Sequence, residues 1–167
     1  LGGEGVTVPD NQRLTPNFTL YEMATTNHRS LWADNLVEAS QPENLRRLRL
    51  VAECLQIIRD HYDTPVIVNS GFRGEALNAA VGGSKTSQHR RAEAADFYVI
   101  GVALGEVFDW IRSESGMPFG QLILEGAEPG RPTWIHLSLG APYRSPERCG
   151  QALTWDRVNG YRVAPDV

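Results

Sequence analysis

The sequence predicts a single α+β domain with a largely antiparallel sheet. Three observations carry this. A chain of 167 residues with 41% hydrophobic and 22% charged side chains suits one globular core. Helical and strand-like segments mix without a repeating strand–helix–strand rhythm, which argues against a parallel doubly wound sheet. One long amphipathic helix stands against several short strands bounded by glycine, proline and polar residues.

Leu1–Thr15 is rich in Gly, Pro and polar residues and has no signal-peptide pattern, and Leu1 is not a start methionine. The expectation is a flexible arm over 1–15 on one domain spanning 16–167, in a fragment or a processed chain. Phe18–Ala24 and Ser30–Val37 read as short helical pieces. Ser40-Gln-Pro-Glu43 has capping-box spacing with an early proline. It opens a helix over Pro42–Tyr62, in which Leu45, Leu48, Ala52, Leu55 and Tyr62 recur near the helical period. Thr64-Pro65 stops it, and Val66–Asn69 is a β-branched strand. Gly71–Ala80 holds a turn and a short helix around Leu77, Gly82-Gly83 breaks it, and Ser84–Arg91 is loop. Ala94–Ile100 reads as a strand and Ala103–Ser113 as a helix with Leu104, Val107, Phe108 and Ile111 inward. Gln121–Glu125 and Trp134–Leu139 are further strands, and Gly160–Val163 is read as an added edge strand. The rest of the tail after Gly140, with Trp155 and Tyr161, stays unassigned.

A net charge of −4 and a pI near 5.6 argue against nucleic acid as the main partner. No apolar run approaches the roughly 20 residues of a membrane span. Arg46, Arg47 and Arg49 read as a solvated helix face. Cys54 and Cys149 lack metal spacing, and Cys54 reads as a small core residue. His28 and His61 read as surface or helix-end residues.

Strand alternation collects the chemistry. In Trp134–Leu139 the apolar Ile135, Leu137 and Leu139 share one face, and Trp134, His136 and Ser138 the other. Gln121, Ile123 and Glu125 likewise oppose Leu122 and Leu124, and Asp96 and Tyr98 oppose Phe97. In one sheet, Asp96, Glu125 and His136 would share a face, with loop-borne His89 at its rim. On a continuous helix His89 and Asp96 would be solvated neighbours about 10 Å apart, too far for one ion. If the loop folds back instead, two histidines and a carboxylate form a common catalytic zinc set with one place left for water. Glu125 is then the natural proton carrier, and Arg73 a cation for a developing oxyanion.

Ser70-Gly-Phe-Arg73, Leu77-Asn78, Val81-Gly-Gly83, Ser87-Gln-His89 and Ala94-Ala-Asp96 stand in order and spacing. They resemble the S-G-[FY]-R … L-N-x-x-V-G-G … S-x-H-x-x-G-x-A-x-D signature of zinc D-Ala-D-Ala carboxypeptidases and phage L-Ala-D-Glu endopeptidases, which share a fold with the hedgehog signalling domain. Phe119–Glu125, Trp134-Ile-His136 and Asn17-Phe-Thr-Leu-Tyr-Glu22 extend the resemblance over roughly Asn17 to Leu139. It implies a hedgehog/DD-peptidase-like fold with flanking helices and one Zn2+ held on a sheet face by His89, Asp96 and His136. Arg73 would meet the substrate's carbonyl oxygen or carboxylate, and Ser87 would orient the site. Trp134 and Tyr98 are candidates to line the groove.

Two departures stand out. The family's glycine in H-x-x-G is Ala92 here, which adds strain if that position needs a positive φ. Thr133 occupies the place where many carboxypeptidase relatives carry the catalytic acid. The phage-type arrangement puts that acid at Glu125, with Glu128 a weaker substitute. The implied activity is hydrolysis of peptidoglycan stem peptides at the cell wall, by a phage lysin, virion-associated or exported protein, as a monomer or part of a larger assembly. The rival expectations are a catalytically silent zinc module that binds cell wall or a protein, and a structural virion domain.

Overall fold

The computed structural model describes residues 6–165. Residues 1–5 of the expected arm lie outside the described residues. Within its remainder, Leu14 is buried and Pro9 accepts a 2.9 Å hydrogen bond from the Tyr21 hydroxyl.

Among the described residues five α-helices and six strands are ordered α1 (Leu20–Met23), α2 (Trp32–Ala39), α3 (Pro42–Tyr62), β1 (Val66–Ser70), α4 (Glu75–Ala80), β2 (Ala94–Val99), α5 (Leu104–Ser113), β3 (Gln121–Glu125), β4 (Trp134–Ser138), β5 (Gln151–Asp156) and β6 (Gly160–Val163). They form a mixed α+β domain. The strands make one sheet in the order β1-β2-β4-β3-β5-β6. Leu48, Val51, Ala52, Leu55 and Ile58 of α3, with Val107, Phe108 and Ile111 of α5, bury against Phe97, Leu122, Ile135 and Leu137. Fully burying each of these side chains other than Ala52 contributes about 1.5–3 kcal/mol. The helices therefore cover one sheet face and leave the polar face free for a site.

The capping box expected at Ser40–Glu43 is absent. Helix α2 runs to Ala39, so Ser40 ends it, its hydroxyl donating to the Val37 carbonyl at 2.9 Å. Gln41 precedes α3 without a side-chain cap, and Glu43 pairs with Arg46 and Arg47 instead. A capping box forms at Thr19–Glu22, where the glutamate accepts from the Thr19 backbone N–H at 2.8 Å.

The sheet is antiparallel except between β3 and β5. Because β4 is antiparallel to β3, it ends beside the start of β3. The chain returns there, Gly150 donating to Phe119 at 2.9 Å and Gln151 to Gly120 at 3.1 Å, and β5 leaves in the direction of β3. Gly120 lies where these chains meet, and a Cβ on it would run into the Leu139 carbonyl oxygen. Strand β5 escaped the alternation pattern because nearly all its residues are half-buried on both faces.

Candidate metal centre and cleft

Strand pairing brings the first two site residues together. Asp96 on β2 lies directly opposite His136 on β4, the spacing at which cross-strand side chains touch. His89 arrives from the loop after α4. That loop folds back through the Gln88 carbonyl, which accepts from Glu93 at 2.9 Å, and the His89 carbonyl, which accepts from Ala92 and Arg73 at 3.2 and 3.1 Å. The turn needs left-handed backbone at Ala92, φ 59°. For a residue with a Cβ this costs about 1–2 kcal/mol. The Ala92 methyl is fully buried in the core, recovering about 0.8 kcal/mol, so alanine is tolerated in the place of glycine. The loop reading holds, and the helical one fails.

The histidine tautomers follow from their outer partners. The Nδ1–H of His89 donates to the Gly71 carbonyl at 2.7 Å, leaving Nε2 to face Asp96 Oδ1 at 3.1 Å. The Nε2–H of His136 donates to Gln88 Oε1 at 2.8 Å, leaving Nδ1 2.8 Å from the same oxygen. All three residues are buried, and their donor atoms lie within 4.8 Å of one another. Converging lone pairs repel unless the imidazoles are protonated or a cation sits among them. Burial works against the Asp96 charge, but the neighbouring histidines prevail and hold its carboxyl far below the usual carboxylate range. Two nitrogens and a carboxylate oxygen, each histidine backed by a carbonyl acceptor, are a donor set that fits zinc.

The surrounding cleft, of about 690 Å³, takes in Arg73, Ser87, Gln88, His89, Asp96, Gln121, Ile123, Glu125, Trp134 and His136. Arg73 reaches Asp96 Oδ2 through Nη2 at 2.9 Å and Ser70 through Nε at 2.8 Å, so it is fixed against the cluster. Glu125 ends β3 opposite Trp134, on the face shared with Ile123, which lies opposite His136. Burial, and then the charge of Asp96, push its carboxyl above the ordinary glutamate value. Among the described residues the buried Trp134 indole N–H makes no close hydrogen bond, yet it lies near enough to Glu125 to favour the charged carboxylate and so to offset part of that rise.

Other expected residues fall elsewhere. Tyr98 pairs with Ile67 in the sheet and does not border the cleft. Glu128 pairs with Arg131 at 3.1 Å on an exposed hairpin and does not border the cleft. His61 stacks on Trp110 with ring centres 3.9 Å apart. Sequence reading missed Gln88, the outer partner of His136. It also missed the cleft wall formed by Arg91, Arg144, Arg148 and Tyr161. Nothing in a lone glutamine between Ser87 and His89 marks it as an acceptor for a histidine 48 residues away.

No curated protein sequence matches the chain significantly. The sequence profile described as Peptidase M15 matches residues 16–138, most of the 167-residue chain. By that match the chain belongs to the peptidase M15 family.

Proposed function

We propose that this protein is a zinc-dependent peptidase that hydrolyses peptide bonds in bacterial peptidoglycan stem peptides, of the D-Ala-D-Ala carboxypeptidase or L-Ala-D-Glu endopeptidase type, on a hedgehog/DD-peptidase-like fold. The observation that carries the reading is the convergence of His89, Asp96 and His136 in a cleft whose wall bears Glu125. Membership of the M15 family supports it. His89, Asp96 and His136 would hold the metal. Zinc in that place would supply Lewis acidity, polarising the scissile carbonyl and easing deprotonation of a water molecule. Glu125 takes the water's proton and delivers it to the leaving amine, a task suited to a carboxyl that burial holds above its ordinary value. Arg73, held by Asp96 and Ser70, presents its remaining N–H groups to the developing oxyanion. Ser87 and Trp134 flank the substrate on the cleft wall.

The test pairs two variants with metal analysis and mass spectrometry of muropeptide digests. His89→Ala loses zinc and hydrolysis together. Glu125→Gln retains zinc and loses at least about a hundredfold in turnover. Wild-type turnover in the glutamine variant would remove Glu125 from the mechanism, and an intact wild-type protein that neither binds zinc nor cuts muropeptides would end the peptidase reading.

A further inference from the structure

One wall of the cleft comes from outside the family match. Arg144, Arg148 and Tyr161 all follow residue 138 and line the same cleft as the metal cluster. The two arginines sit in the return loop between β4 and β5. This explains their position: the loop carries the chain from the end of β4 to the start of β3, where Gln121 pairs with Gln151.

Arg144 is the informative residue. It is half-buried, its aliphatic stem lying over Gly120, where an added Cβ would meet Arg144 Cδ. Its Nη2 donates to Gln151 Oε1 at 2.9 Å, and its Nε to the Arg148 carbonyl. The same Gln151 oxygen accepts from Gln121 Nε2 at 3.1 Å. The guanidinium is thus held in place by neutral acceptors. Among the described residues, neither Arg144 nor Arg148 has a carboxylate within ion-pair distance, whereas Arg91 beside them is paired with Glu93 at 3.1 Å. Nη1 of Arg144 makes no hydrogen bond among the described residues. Burial, with Arg148 and Arg91 close by, works against its charge and lowers its pKa. A fixed, partly desolvated guanidinium with an unused edge matches a carboxylate, which it can grip through two parallel N–H···O bonds.

We propose that Arg144, assisted by Arg148, is a carboxylate-recognising subsite that selects stem peptides bearing a free carboxylate near the scissile bond. The proposal rests on the peptidase reading for its choice of peptide. The sheet register sets the spacing. Ile123 lies opposite His136, and Gln121, two residues back along β3, marks the Arg144 end. Two residues of extended chain span about 7 Å, so the recognised carboxylate lies about two residues from the carbonyl at the metal cluster. Glu125 stands two residues the other way, so the cleft has an acid–base end and an anion-binding end.

The experiment uses the zinc-loaded protein and two matched sets of stem peptides, one with free side-chain and α-carboxylates and one with these converted to amides. Hydrolysis and calorimetric binding are both measured, for wild type, Arg144→Gln, Arg144→Lys and Arg131→Gln. Wild type favours the carboxylate set at least about tenfold in kcat/KM, chiefly through KM, and in Kd. Arg144→Gln brings that ratio close to one, and Arg144→Lys, which keeps charge but loses the fork, falls between. Arg131→Gln, on the exposed hairpin, keeps the wild-type ratio. Thermal denaturation monitors folding, and if Arg144→Gln unfolds, the wild-type ratio and the lysine variant decide. A wild-type ratio near one, or a folded Arg144→Gln variant that keeps the preference, overturns the subsite. Preferential binding without hydrolysis upholds the subsite and refutes the peptidase reading. Absence of binding to either set overturns both.

Discussion

Replacing Gln88 by leucine isolates the support behind one proposed metal ligand. Gln88 Oε1 accepts the His136 Nε2–H at 2.8 Å, and that donor is buried on the cleft floor. Leucine is of similar size but offers no acceptor. The Gln88 backbone carbonyl would still accept from Arg91 and Glu93 at 3.2 and 2.9 Å, so the loop fold should persist. An unsatisfied buried donor costs about 1–3 kcal/mol, which the ring can escape only by turning its lone pair away from the metal position. At about 1.4 kcal/mol per factor of ten, the zinc dissociation constant should rise about 10–100-fold, the usual consequence of losing such an outer partner. Gln88→Glu supplies a stronger acceptor and should hold zinc at least as tightly as the wild type. Competition against a chromophoric chelator measures both, with circular dichroism confirming the fold. Wild-type affinity in a folded leucine variant would refute the claim that this amide orients His136.

Gly71→Ala would drive a Cβ into the Met23 carbonyl oxygen, which accepts the Phe72 N–H at 2.8 Å, and would shift the Gly71 carbonyl that fixes His89. Stability should fall by about 1–3 kcal/mol, with weaker zinc binding, and an unchanged melting temperature would contradict the packing. Asp156 caps the β5–β6 turn, accepting from Asn159 and Val158 backbone N–H groups at 2.8 and 2.9 Å. The Asn159 side chain, chief among its partners, holds its carboxyl below the ordinary value. Its stabilisation is therefore complete above the unfolded pKa of about 3.9 and disappears as pH falls through the lower folded value. The stability gap between wild type and Asp156→Asn should stay constant from neutral pH to about pH 5 and close in acid; a gap that persists in strong acid would refute this.

What was legible in the sequence was whatever short-range periodicity encodes. The bounds of Pro42–Tyr62, Gln121–Glu125 and Gly160–Val163 coincide with α3, β3 and β6. Alternation placed Asp96, Glu125 and His136 on one face because a strand has only two. Long-range partners were not legible. Gln88 serves His136 across the cleft, and Arg144 is held by Gln151 only because β5 returns parallel to β3. The Ser40–Glu43 pattern misled because its serine already ended α2. Ala92 posed a conditional question, which its left-handed φ and buried methyl answered together.

Every proposed step depends on one zinc ion shared by His89, Asp96 and His136. Anomalous diffraction at the zinc edge, from crystals of the zinc-loaded protein, tests it directly. A single strong peak is expected about 2 Å from His89 Nε2, an Asp96 carboxylate oxygen and His136 Nδ1. A map with no peak among those atoms, or with its strongest peak on other residues, would contradict it.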